Sequence, residues 1–217
     1  MSFAFRATLL PALCATSLLL GANSGFAQQT ISAPLATGLV LADIHEKASP
    51  ALRDAVLAYA PEWAGCQLLQ LQVDMDGDPA TNEWVVTPDK RCKPSPSRLQ
   101  IAWLLREDSH GAAQVLIADR AEFITITPAG FANGGAGFGT VLFQWTKDVP
   151  AALASRIPVQ HDQLRCGSVW DYADKQYRHV GMAEPSIMVK DPVAGGWVEM
   201  ELKHYVPDYP RDLCQPD

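Results

Sequence analysis

Apolar and polar residues alternate along most of the chain, in short segments separated by turn residues. Ten segments have the alternating or short apolar pattern that is typical of β-strands: QLLQLQV (67–73), EWVVTP (83–88), LQIAWLL (99–105), AQVLIA (113–118), EFITIT (122–127), TVLFQW (140–145), SVWDY (168–172), QYRHV (176–180), SIMVK (186–190) and WVEMELK (197–203). Most of them follow one another without the helix that a parallel pair requires. We therefore predict a mainly β fold (α+β) of antiparallel sheets, sandwich-like or strongly curved.

One helix is predicted before the first of these strands. Ser49 can cap its start, Pro50 suits the first helical position, and Pro61 ends it. The segment ALRDAVLAYA places four apolar side chains largely on one side, and we expect this side to pack on the sheet: Leu52, Val56, Leu57 and Tyr59. A second, short helix is predicted to start at Asp148.

The first 27 residues have the layout of a secretory signal peptide. Arg6 precedes an apolar run over 7–20, and the small-residue stretch GANSGFA ends at Ala27, where we predict cleavage. Residues 28–44 are low in charge and are predicted to form an extended arm. Residues 45–217 are predicted to form a single β-rich domain in the periplasm or outside the cell.

Charge and hydropathy narrow the choice of partners. The chain has a formal net charge of −7 and no basic cluster, which argues against nucleic acid and anionic membrane surfaces as partners. After the signal peptide, no segment approaches the run of about 18 apolar residues that a membrane-spanning helix needs. The partner classes that fit are another exported protein and a cell-wall component.

Four cysteines follow the predicted cleavage site, and an even number in an oxidising compartment indicates two disulfides. Three pairings are open to them. Cys66 precedes one strand of a predicted hairpin and Cys92 follows the other, so the open end of the hairpin would bring them together. This argument favours the sequential pairing, Cys66–Cys92 with Cys166–Cys214.

The segment VDMDGDPATNEW (73–84) crowds three aspartates between two predicted strands. Alternate residues of an extended loop point the same way, and calcium prefers six to eight oxygen ligands. The predicted calcium ligands are the side chains of Asp74, Asp76, Asp78 and Asn82 and the backbone carbonyl of Ala80. The alternative is a polar, solvated turn without metal. An EF-hand fits less well, because its twelfth position is Val85 and Glu83 is misplaced at the tenth.

This loop resembles the calcium loop of FG-GAP and VCBS-type repeats, in which D-x-[DN]-x-[DN]-G-x-x-[DN] lies in a β-hairpin of a propeller blade. It is also similar to the DxDGD…EW stretch of small exported bacterial proteins, and VWDYADKQYRHV (169–180) resembles a W-x-(W/Y)-D-G-K-x-Y hairpin of the same proteins. The resemblance implies a structural calcium on a hairpin. Pro79 stands where the family has glycine, and the single copy excludes a propeller.

Sequence motifs for catalysis are lacking. The histidines have no metal-ligand spacing, and G-x-S-x-G is absent. The glycine-rich run PAGFANGGAGFGTV (128–141) is predicted to be a hairpin loop, because strand-like residues follow it where a phosphate loop needs a helix. Several acids could still form a carboxylate pair in space, as glycosidases do: Glu62, Glu107, Asp108, Glu122 and Glu184.

These observations favour a non-enzymatic exported binding module, of the inhibitor or immunity-factor kind, with one structural calcium site. The alternative is a hydrolase of cell-wall or carbohydrate substrates that uses spatially paired carboxylates. A deep cleft with two facing carboxyls would favour the hydrolase, and a flat or protruding surface would favour the binder.

Overall fold

The computed structural model describes residues 38–76, 78, 81–92, 99–127, 138–157, 163–190 and 195–215. The predicted signal peptide and residues 28–37 of the predicted arm lie outside these described residues. The strands are β1 (Leu39–Val40), β2 (Glu46–Lys47), β3 (Leu68–Val73), β4 (Asn82–Pro88), β5 (Gln100–Glu107), β6 (Ala113–Ala121), β7 (Phe123–Thr127), β8 (Thr140–Asp148), β9 (Gln163–Ala173), β10 (Gln176–Met182), β11 (Ser186–Lys190) and β12 (Trp197–Glu201). The helices are α1 (Pro50–Tyr59) and α2 (Ala151–Ala154).

The predicted mainly β, antiparallel fold is confirmed. All ten predicted segments contain a strand of the structure, whereas β1 and β2 have two residues each and are too short to leave an alternating pattern. Residues 38–44, at the end of the predicted arm, include β1 and a 3-10 turn at Leu41–Asp43. Leu41 and Ile44 are buried, so this part of the arm contributes to the core.

The strands form two antiparallel sheets. A five-stranded sheet has the order β2-β3-β4-β5-β6, and a seven-stranded sheet has the order β1-β7-β8-β9-β11-β12, with β10 also paired to β9. The chain passes from one sheet to the other at Glu122, between β6 and β7. The Glu122 carboxylate accepts hydrogen bonds from the hydroxyl (2.6 Å) and backbone N–H (3.0 Å) of Thr146 on β8, which fixes this corner.

The five-stranded sheet is buried on both faces. On β5, Ala102 and Leu104 belong to the core shared with the seven-stranded sheet, whereas Trp103 and Leu105 pack with α1 on the other face. The Ser49 hydroxyl caps α1 by accepting the N–H of Leu52 (3.3 Å), as predicted. The expectation that Tyr59 lies on the packed side was wrong, because this last helical residue is 62% exposed and the buried side chains are Leu52 and Val56.

A second apolar cluster covers the other end of the seven-stranded sheet. Leu164 and Ile187 of the sheet pack there with Leu153 of α2 and Leu213 near the C-terminus. The disulfide Cys166–Cys214 attaches this C-terminal segment to β9, and Cys66–Cys92 joins the open end of the β3–β4 hairpin. Both pairings are those that the hairpin argument favours. The helix predicted from Asp148 begins at Ala151, because β8 continues to Asp148.

A two-residue turn closes the β9–β10 hairpin. Asp174 and Lys175 both have positive φ angles, 52° and 66°, and Ala173 pairs with Gln176 across the turn. This conformation is that of a type I′ turn, whose twist matches that of the flanking strands. In the part of the chain that the structure describes, no helix has the length and apolar character needed to cross a membrane.

Candidate metal centre

The acidic residues of the β3–β4 loop lie at one end of the five-stranded sheet. Val73 is paired with Glu83, and Glu83 is paired on its other side with Arg106 of β5. Side chains two residues apart on a strand share a face. Glu83 therefore points the same way as Val85, into the core between the sheets, and is 1% exposed.

Three carboxylates converge at this point. One oxygen each from Asp74, Asp76 and Glu83 lie within 4.8 Å of one another. Asp74 is exposed, whereas Asp76 is 4% exposed and lies beside the fully buried Met75. Like charges at this spacing repel one another strongly in a partly dehydrated environment, so the cluster needs a counter-charge or a proton.

The loop holds the two buried carboxylates in place. The backbone N–H of Asp78 donates to Oδ1 of Asp76 (2.9 Å), and the Thr81 hydroxyl lies 3.4 Å from Oδ2. Oε2 of Glu83 accepts the backbone N–H of Met75 (3.4 Å), but buried Oε1 has no hydrogen-bond partner among the described residues. Burial, reinforced by the charge of Asp76, raises the pKa of Glu83 against the opposing effects of Thr81, Met75 and Arg106.

Arg106 is the basic side chain beside this cluster. Its guanidinium lies 3.6 Å from Oδ2 of Asp76 and 3.8 Å from Oε1 of Glu83, too far for a hydrogen bond to either. The same group lies 5.1 Å above the ring of Phe138, and it remains about one-third exposed. One guanidinium cannot neutralise two ionised carboxylates, so the buried pair needs a second counter-charge or a proton.

The wall opposite the loop is aromatic. Phe138 contacts Tyr172 of β9 and Tyr177 of β10, with ring centroids 4.6 and 5.9 Å apart. The Tyr177 hydroxyl is buried and lacks a hydrogen-bond partner within the described ranges. Burial raises its pKa, and the charges of Tyr172, Asp76 and Glu83 add to the effect.

Of the five predicted ligands, the structure describes four and brings two of them together. It brings Asp74 and Asp76 together, whereas Ala80 lies outside the described residues. Asp78 contributes its backbone N–H to Asp76. The side-chain oxygen of Asn82 accepts from Gln72 (3.0 Å) on the face of the strand opposite to Glu83.

Glu83 is the acid that sequence reasoning missed. It was considered only for an EF-hand, where its position does not fit. The signal that identifies it is the strand pattern itself, because EWVVTP places Glu83 and Val85 on one face. A glutamate on the apolar face of a strand, next to an acidic loop, is a candidate ligand.

Four of the five acids considered for a catalytic pair have other roles. Glu107 accepts from the indole N–H of Trp84 (3.1 Å), and Glu184 accepts from the hydroxyl of Tyr209 (2.7 Å). Asp108 accepts two backbone N–H groups of its own turn, and Glu122 fixes the corner between the sheets. These contacts are structural.

The glycine-rich run connects strands that pair with each other. Thr127 of β7 is paired with Thr140 of β8, which is the arrangement of a hairpin. Residues 128–137, including Gly135 and Gly137, lie outside the described residues.

Comparisons of the chain with protein-family models, with curated proteins and with solved structures found no match.

Proposed function

We propose that the protein is an exported, non-enzymatic binding module whose β3–β4 loop is ordered by one structural calcium ion. The observation that carries the calcium proposal is the convergence of Asp74, Asp76 and Glu83, with a buried Glu83 oxygen that has no hydrogen-bond partner in the described ranges. Carboxylate oxygens are the ligands that calcium prefers, and backbone carbonyls and water would complete its coordination. The two disulfides support an oxidising compartment, periplasmic or extracellular.

Exposed apolar side chains on edge strands support the binding role. Trp197 is 43% exposed on β12 at the end of the seven-stranded sheet, and Val180 is 56% exposed on β10. Edge strands that carry exposed apolar side chains are common sites of strand addition by a partner. The partner proposed is another exported protein or a cell-wall component.

A hydrolase is the alternative, and one observation favours it. Asp76 and Glu83 form a close carboxylate pair in which the pKa of Glu83 is raised, which is how acid and nucleophile are divided in glycosidases. Burial argues against it, because a polymeric substrate would have to reach side chains that are 4% and 1% exposed. Hydrolysis of peptidoglycan or an oligosaccharide that is lost in Glu83→Gln would favour the hydrolase.

Thermal unfolding tests the calcium proposal. We expect millimolar calcium to raise the Tm of the mature protein relative to EDTA, since an ion that binds only the folded state at a hundredfold excess over Kd stabilises by about 2.7 kcal/mol. Asp74→Asn should remove most of the increase. Asp54→Asn, an exposed acid on α1, is the matched control and should retain it. The same Tm in both buffers would identify the loop as a polar turn without metal.

A further inference from the structure

Arg106 lies beside the proposed calcium site, and the role assigned to it below rests on that site. The guanidinium occupies the charged side of the cluster, 3.6 Å from Asp76 and 3.8 Å from Glu83, where a cation would also have to bind these two carboxylates. A divalent ion and a guanidinium within a few ångströms of each other repel. The two cations therefore compete for the same pair of acids.

Two further observations indicate that, among the described residues, this ion pair leaves polar groups at the cluster without a hydrogen-bond partner. Arg106 makes no hydrogen bond to either carboxylate, and the Oε1 atom of Glu83 that it approaches is buried without a hydrogen-bond partner in the described part of the chain. Independently, the buried Tyr177 hydroxyl also lacks a partner there, although buried hydroxyls nearly always have one. A cation bound by the cluster would satisfy the buried Glu83 oxygen, directly or through its water.

The Arg106 side chain also has access to solvent. It is about one-third exposed and rests on the face of Phe138, so the guanidinium lies next to solvent. We propose that Arg106 is a resident counter-ion that weakens calcium binding, and that calcium binds by displacing the guanidinium from Asp76 and Glu83. Calcium would then leave Arg106 exposed on the surface, available to an anionic group.

Calcium titration by calorimetry, with calcium chloride as the probe, tests this role. Arg106→Gln should bind calcium about tenfold more tightly or better, because a positive charge beside the ion has been removed. Arg120→Gln is the matched control, since Arg120 is exposed on β6 and is paired with Ile101 at the opposite end of β5 from Arg106. Its affinity should equal that of wild type.

The outcomes separate this inference from the proposed function. Equal or weaker binding by Arg106→Gln, with wild type binding calcium, overturns the counter-ion role and leaves the calcium site standing. Binding by Arg106→Gln alone supports the counter-ion role and overturns the structural calcium of the native protein. Absence of binding in both overturns both.

A second measurement on the native protein keeps the inference testable if Arg106→Gln does not fold. The side-chain Nε–H signal of Arg106 in a nitrogen-15 NMR spectrum should shift as calcium is added, and that of Arg120 should stay in place. Saturating calcium that leaves the Arg106 signal unchanged contradicts displacement of the guanidinium.

Discussion

At the scale of single residues, the hydroxyl of Tyr177 leads to a prediction about stability. Its hydroxyl is buried and has no hydrogen-bond partner among the described residues, so it contributes little to the metal-free fold. Tyr177→Phe in EDTA should therefore leave the free energy of unfolding unchanged or raise it by up to about 1 kcal/mol. Urea unfolding measures this, and a loss of more than about 1 kcal/mol would show that the hydroxyl is hydrogen-bonded in the folded protein.

Tyr209 provides a prediction on alkaline pH. Its hydroxyl donates to Glu184, and burial together with that carboxylate raises its pKa to about 12. The folded state thus holds the proton more tightly than the unfolded state, whose tyrosines titrate near pH 10. The resulting stability is fully present below about pH 10 and declines as pH rises towards about 12.

Urea unfolding at pH 9, 10 and 11 tests this linkage. Tyr209→Phe should remove part of the decline that wild type shows over this range, whereas Tyr59→Phe, at an exposed tyrosine, should leave it in place. The same slope in wild type and Tyr209→Phe would contradict the raised pKa.

Only part of the candidate site could be predicted from the sequence, because some of its residues meet through local spacing and others through strand pairing. Asp74 and Asp76 were predicted because alternate loop residues point the same way, and this rule needs only local information. Glu83 and Arg106 are neighbours through strand pairing, and Tyr177 joins them across the core. Such contacts depend on which strands pair and in which register, which the local pattern does not specify.

At the scale of elements, the strands were predictable because their turn residues are local signals. All ten predicted segments contain a strand, and the β9–β10 hairpin closes at the two-residue turn Asp174-Lys175. Lys175 has a φ of 66°, a conformation that costs a residue with a Cβ atom about 1 kcal/mol or more. Asp174 tolerates the same region better.

Lys175→Gly should therefore stabilise the protein by about 0.5–1 kcal/mol, because glycine adopts a positive φ without steric cost. Lys147→Gly is the control, since Lys147 lies within β8 and glycine weakens an extended strand. Urea unfolding of the two variants should give changes of opposite sign. A loss of stability for Lys175→Gly would show that the lysine side chain contributes more than its backbone conformation costs.

At the scale of the whole molecule, the order of strands was beyond local prediction. The chain leaves one sheet and enters the other across the single residue Glu122, and β9 pairs with β8 on one side and with both β10 and β11 on the other. Pairings between distant segments are decided by total burial. The two disulfides reinforce different parts of this arrangement: Cys66–Cys92 joins the ends of the β3–β4 hairpin, and Cys166–Cys214 attaches the C-terminal segment to β9.

Removing each disulfide should accordingly loosen a different region. In the chain-entropy model, a separation of 26 residues for Cys66–Cys92 and of 48 for Cys166–Cys214 corresponds to about 3.5 and about 4 kcal/mol of stability. Cys166→Ser combined with Cys214→Ser should speed hydrogen exchange mainly in residues 202–215 and α2, which pack around that bond. Cys66→Ser combined with Cys92→Ser should speed it mainly in β3 and β4. Mass spectrometry of exchanged peptides compares the two, and the same pattern in both double variants would mean that the molecule opens as one cooperative unit.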